Sequence, residues 1–85
     1  MKWHISRITT SNVEYLVRYE NTSNCHNAIW CEPTLHNKEH HTCEFDHLSD
    51  AKAQRDEIKS FEREIYGGTS HELNKASYQV RPTIF

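Results

Sequence analysis

Apolar and polar residues alternate with a period of two near both ends of the chain, and with a helical period in one long stretch between them. Val13, Tyr15, Val17 and Tyr19 alternate with Glu14, Arg18 and Glu20, and only Leu16 breaks the rhythm. A period of two, rich in β-branched and aromatic residues, marks a strand with one buried face. Trp3 and Ile5 alternate with Lys2, His4 and Ser6 in the same way. The pattern predicts strands over 2–8 and 13–20, joined as a hairpin through Thr9-Thr10-Ser11-Asn12. That linker lacks glycine, but asparagine tolerates positive φ and Ser/Thr hydroxyls bond local backbone.

Residues 20–27 are polar and rich in turn formers, so the second strand is expected to end near Glu20. The apolar run Ala28–Cys31 reads as a short third strand, stopped by Pro33. A further short strand is suggested at Thr42–Phe45, with Cys43 and Phe45 on one face. Between them, 34–41 has almost no apolar residue besides Leu35 and reads as an exposed loop. The helical period follows. Ala51, Gln54, Ile58, Phe61 and Ile65 fall at spacings of three and four, which builds one stripe facing a core. Ser49 suits the N-cap, Asp50 sits where the helix dipole favours an anion, and Gly67-Gly68 can end the helix in a left-handed turn. Lys52–Asp56 and Lys59–Glu62 are spaced to pair on its solvated side. Alternation then resumes, with Tyr78, Val80 and Ile84 against Gln79, Arg81 and Thr83. Pro82 lacks an amide donor, so this last strand belongs on a sheet edge.

The order is β-β-(β)-α-β. It predicts an α+β two-layer fold, a small antiparallel sheet with one helix packed on one face. The length allows a single domain over 1–85, with 21–47 as a long polar Cys/His-rich insertion. The expected buried sheet face carries Tyr15, Val17, Tyr78 and Val80, covered by Ile58, Phe61 and Ile65.

Composition refines this picture. Only 35% of residues are hydrophobic, yet the aromatics lie in patterned segments, which argues for a folded polar domain. Ten basic and twelve acidic side chains give a net charge of −2. Nucleic-acid binders usually carry a basic surplus or stripe, so nucleic acid is not the favoured partner. No apolar run reaches signal-peptide or membrane-span length. Three cysteines suit no paired disulfide framework, and a cytoplasmic setting follows as an expectation.

All three cysteines and five of the seven histidines fall between Cys25 and His47. Soft sulfur and imidazole donors suit zinc, which a small domain can use as a staple. Cys25, Cys31 and Cys43 are the sulfur candidates for one structural zinc ion, with His41 or His47 as the fourth ligand. His41 and Cys43, two apart on a possible strand, would project to one face. The spacing is unlike a standard knuckle, however, because Cys25 and Cys31 are too far apart. The competing reading is a polar histidine-rich loop whose cysteines pack as small apolar residues. No nucleophile-base constellation, metalloprotease signature or phosphate-binding glycine loop is present, so catalysis is not expected.

The segment CEFDHLSDAKAQRDEIKSF, followed by SYQVRP, resembles small accessory proteins encoded by bacteriophages. In those, a strand ending in Phe-Asp leads into a charged, Ala-rich helix and then a final strand. The likeness covers residues 43–61 and 77–82 and carries no site motif. It implies a protein that binds and disables a host protein or complex, among them transcription machinery, nucleases and CRISPR–Cas or other defence systems. The expected function is therefore a non-enzymatic protein-binding module, an inhibitor of a host complex in the bacterial cytoplasm. Its acidic side chains, Glu14, Glu62 and Glu64 among them, are expected on the outer surface. Trp30, His36 and His40 are the candidate partner-binding residues, because aromatic side chains dominate binding hot spots. The alternative is a zinc-stabilised nucleic-acid-binding or regulatory domain that uses 25–47 as its reading element.

Overall fold

The computed structural model describes residues 1–22, 25–31, 43–68 and 72–83. Three strands come first: β1 (Lys2–Ile8), β2 (Val13–Thr22) and β3 (Cys25–Cys31). The helix α1 (Leu48–Tyr66), a short 3₁₀ turn (Glu72–Lys75) and β4 (Ser77–Thr83) follow. The four strands form one antiparallel sheet in the order β3-β2-β1-β4, and α1 lies against β1 and β4. This is the expected small α+β fold, with the third strand now definite. That strand sits inside the stretch read as an insertion and starts at Cys25, earlier than the apolar run suggested. Pairing with β2, from Thr22↔Cys25 to Tyr15↔Cys31, carries polar residues into the sheet that their own propensity would leave in a turn.

The β1–β2 turn forms without glycine, as its hydroxyls predict. The amides of Thr9 and Asn12 donate to the Asn12 carbonyl (2.9 Å) and the Thr9 hydroxyl (3.1 Å) respectively. No described non-glycine residue has positive φ, so the tolerance of Asn12 for that region is not used.

Which side of β2 faces the helix is the main correction. Leu16, the residue that broke the alternation, is fully buried with Ile5 and Ile58, and Ala76 and Tyr78 complete the core. Val13 and Tyr15 lie on the opposite face. A register shift between Leu16 and Arg18 inserts one residue, so the phase flips at Val17 and Tyr19 returns to the core side. A bulge of this kind makes one strand read as two half-strands of opposite phase. Of the expected buried face, Tyr78 and Val80 are inside and Tyr15 and Val17 are not.

The strands β1 and β2 pair only over Ser6↔Tyr15, Arg7↔Glu14 and Ile8↔Val13, and beyond that row they splay. Residues 43–45 enter the gap. Trp3 and Phe45 exchange backbone bonds (2.9 and 2.8 Å), and Cys43 donates its amide to the Leu16 carbonyl (2.8 Å). Of the stretch expected as a strand at Thr42–Phe45, the described residues 43–45 make a single bridge, Phe45 to Trp3, and Thr42 lies outside the described residues. Cys43 and Phe45 both pack on the core, as their shared face predicts.

The helix starts two residues earlier than its cap signal implies. His47 is the N-cap and makes no side-chain cap bond, so Ser49 is helical and does not cap. The buried helical positions are Ala51, Ile58 and Glu62, whereas Ile65 is 53% exposed and Phe61 is half-buried. The stripe is rotated toward Glu62. On the outer side, Arg55 pairs with Asp56 (3.1 Å), displacing the expected Lys52–Asp56 pair. The ending is as predicted. The Gly67 amide bonds the Arg63 carbonyl (2.8 Å), a Cβ on Gly67 would lie 2.3 Å from that oxygen, and Gly68 takes φ 76°.

Candidate functional site

Two groupings of side chains stand out, one on each face of the sheet. The first lies under the helix. Register places Glu14, Arg7 and Tyr78 in one lateral row across β2, β1 and β4. Trp30 pairs with Leu16 on the next strand over, and Glu62 descends from α1 onto the row. Arg7 donates Nη1 to Glu62 Oε1 (2.8 Å), and its Nε and Nη2 to Glu14 Oε1 (3.3 and 3.0 Å). Trp30 Nε1 donates to Glu62 Oε1 at 3.1 Å, and the Tyr78 hydroxyl donates to Glu62 Oε2. The Arg7 guanidinium sits 4.5 Å from the Trp30 ring centroid, within cation–π range.

The chemistry of this cluster is self-contained. Each Glu62 oxygen has at least one donor, and the Arg7 fork is divided between two carboxylates. Burial and then the Glu62 acceptor push the Tyr78 hydroxyl well above the ordinary tyrosine range, so it stays a donor at neutral pH. A buried charge is tolerable when it is paired and hydrogen-bonded, and that condition is met here. Glu14 and Glu62, expected among the outer carboxylates, are turned inward. The same contact removes Glu62 from the Lys59 pair that helical spacing suggested.

The second grouping lies on the face turned away from the helix. One row across all four strands runs Cys31, Tyr15, Ser6 and Gln79. The Tyr15 ring meets His4 edge-on (centroids 5.1 Å, 81°), and His4 Nδ1 lies 3.0 Å from Thr83 Oγ1. Burial and then the nearby Arg81 hold His4 below its usual titration range, against a weaker opposing pull from Glu44. Arg81 points Nε and Nη2 at Gln79 Oε1 (3.0 and 2.8 Å). Val13 (37%) and Ile29 (41%) are the exposed large apolar residues of this face. Ser6 is fully buried, and its hydroxyl meets no hydrogen-bond partner.

The residues singled out from sequence are dispersed over these elements. Trp30 is half-buried on the helix side, committed to Glu62 and tilted against Tyr78 (6.2 Å, 59°). Cys31, the next residue, alternates to the opposite face beside Tyr15. Cys43 packs toward the core, where burial pushes its thiol up and disfavours the thiolate a metal needs. Both are free thiols, and the sheet lies between them. His47 is exposed at the start of α1. Cys25 is the first residue of β3, and its side chain falls outside the described set. His36, His40 and His41, with the loop expected over 34–41, also lie outside the described residues. Among the described residues no three potential metal ligands gather.

Arg7 and Glu62 are absent from the site residues that the sequence points to, although each carries a signal. Arg7 continues the phase of Trp3 and Ile5, and Glu62 stands four residues after Ile58 on the buried stripe. No family model, curated protein or solved structure matches this chain. Among the described residues no helix is long and apolar enough to cross a membrane.

Proposed function

We propose that the protein is a non-enzymatic binding module that acts by occupying the surface of another protein. The observation that carries this reading is the division of labour between the two faces. Under the helix, Arg7, Glu14, Glu62, Trp30 and Tyr78 spend their polar atoms on one another. The other face carries Tyr15 and Arg81, residue types enriched at binding hot spots, together with the exposed Val13 and Ile29. The likeness of 43–61 and 77–82 to phage accessory proteins supports extending the reading to an inhibitor of a host complex in the bacterial cytoplasm.

Affinity capture from bacterial lysate tests this, comparing wild type with Tyr15→Ala and Arg81→Gln after circular dichroism shows all three folded. Retention of a defined protein by wild type, weakened in both variants, is the expected result. If nothing is retained while the purified protein turns over small substrates, the reading is wrong. Trp30→Ala is unsuited to this comparison, because it removes a donor from Glu62. Zinc is tested separately by native mass spectrometry. One stoichiometric ion would recruit the 25–47 donors as a staple, and the opposed placement of Cys31 and Cys43 argues that both cannot serve one ion.

A further inference from the structure

Resting on the reading above, we infer that the gap between β1 and β2 is a slot for an extended strand of a partner protein, which residues 43–46 fill in cis. The slot is built into the sheet. Pairing of β1 with β2 stops at Ser6↔Tyr15, and the register shift between Leu16 and Arg18 follows at once. A bulge bends its strand and ends pairing, so the two strands part there. Beyond that point Trp3 turns its amide and carbonyl toward the gap, and Leu16 its carbonyl. The backbone of Phe45 and Cys43 meets them at 2.8 to 2.9 Å. Such groups are costly to leave unpaired where water is scarce, so the slot requires an occupant.

The resident segment shows which side chains suit it. Cys43 and Phe45 are half-buried and pack on the core, while Glu44 and Asp46 are exposed. Lys2 holds Asp46 at 2.9 Å, and the charge of Glu44 favours the protonated forms of Lys2 and His4. The partner strand is therefore small apolar, acidic, aromatic and acidic, in that order. In strand addition the backbone bonds give affinity and the alternate side chains give specificity. The resident copy is held lightly enough to be displaced. Among the described residues its bridge to β1 is single, and its ion pair is more than half exposed on both sides. The His47 cap that follows makes no side-chain bond. Residues 43–46 thus act as an autoinhibitory strap.

A fluorescein-labelled peptide copying residues 42–47 tests this on the full-length chain, by fluorescence anisotropy in reducing buffer. The resident copy competes at the effective concentration of a tethered segment, so wild type should bind weakly. Phe45→Ala in the chain weakens that competitor and should bind the peptide about tenfold more tightly. Asp46→Lys, at an exposed position, should gain about threefold, the scale of a surface ion pair. Lys2→Glu should prefer a peptide carrying Asp46→Lys, and a scrambled peptide should not bind. Circular dichroism establishes that each variant is folded. If Phe45→Ala is not, Asp46→Lys and Lys2→Glu decide alone. Equal binding of the scrambled peptide would overturn the slot, as would folded variants that bind no more tightly than wild type. Either result leaves the lysate capture, and with it the binding-module reading, standing. Self-association of wild type that free peptide reverses would also overturn the inference, by giving the slot to a second copy.

Discussion

Arg7 and Glu62 lie 55 positions apart in sequence and meet at 2.8 Å beneath the helix, with both side chains about nine-tenths buried. Their contact ties the central strand to the helix through charge as well as packing. Removing one partner of such a pair strands the other in a poor solvent, which costs more than the pair contributes. Glu62→Gln should therefore destabilise the fold by about 3 kcal/mol, read from urea unfolding. The double replacement Arg7→Met with Glu62→Leu should cost less than the sum of the single changes. Strict additivity would show that the two do not act as a unit.

Leu16 should be a costlier site than the helix position that periodicity alone would select. Leu16→Ala removes a fully buried side chain and should cost about 3 kcal/mol, within the usual range for such cavities. Ile65→Ala, at a residue more than half exposed, should cost less than about 1 kcal/mol. The reverse order in thermal or chemical melts would place the core on the other phase of β2.

The helix start offers a gain. His47 occupies the N-cap without a side-chain bond, and serine or aspartate there accepts from a free first-turn amide. His47→Asp should add about 1 kcal/mol of stability. Ser49→Ala, inside the first turn, should change little. A loss of stability in Ser49→Ala matching that of a true cap would move the helix start.

Two titrations follow from burial. Tyr78 has its ionisation raised above the ordinary value of 10.0. The folded state therefore holds the proton more tightly than the unfolded chain. This contribution to stability is complete below about pH 10 and is lost as pH climbs beyond it. Absorbance at alkaline pH should show one tyrosine ionising last, together with unfolding, and absent in Tyr78→Phe.

His4 behaves in the opposite sense. Its folded value lies below 6.5, so the unfolded chain binds the proton better, and stability falls as pH drops through that region. Its imidazole shifts, followed by NMR, should have a midpoint under 6.5 that rises in Arg81→Gln. No movement would mean that Arg81 does not face the ring.

Periodicity made the elements legible, and it failed where a single inserted residue or a buried charge reversed its meaning. The hairpin, the helix with its glycine ending and the Pro82 edge strand all follow from local rules. The phase of β2 does not, because the bulge near Val17 hides behind an alternation that looks continuous through Tyr19. Glu62 reads from spacing as an outer partner of Lys59, although it stands four residues after Ile58, and neither its burial nor its partner follows from that spacing. Arg7 meets it where α1 lies across β1 and β4, a placement that no local window contains. The Cys/His clustering is read along the chain, and that proximity does not carry over into space for Cys31, beside Tyr15, and Cys43, packed on the core side.

The sheet sets the first strand beside the last, with Lys2 opposite Thr83 and Arg7 opposite Tyr78. During synthesis β1 emerges early and waits for its outer neighbour until β4 has left the ribosome. Until then Glu62 lacks the Tyr78 donor and the Ile5 side of the core stays open to chaperones and proteases. Nascent chains stalled before Ser77 should be protease-sensitive throughout, and protection should arrive in one step once β4 is free.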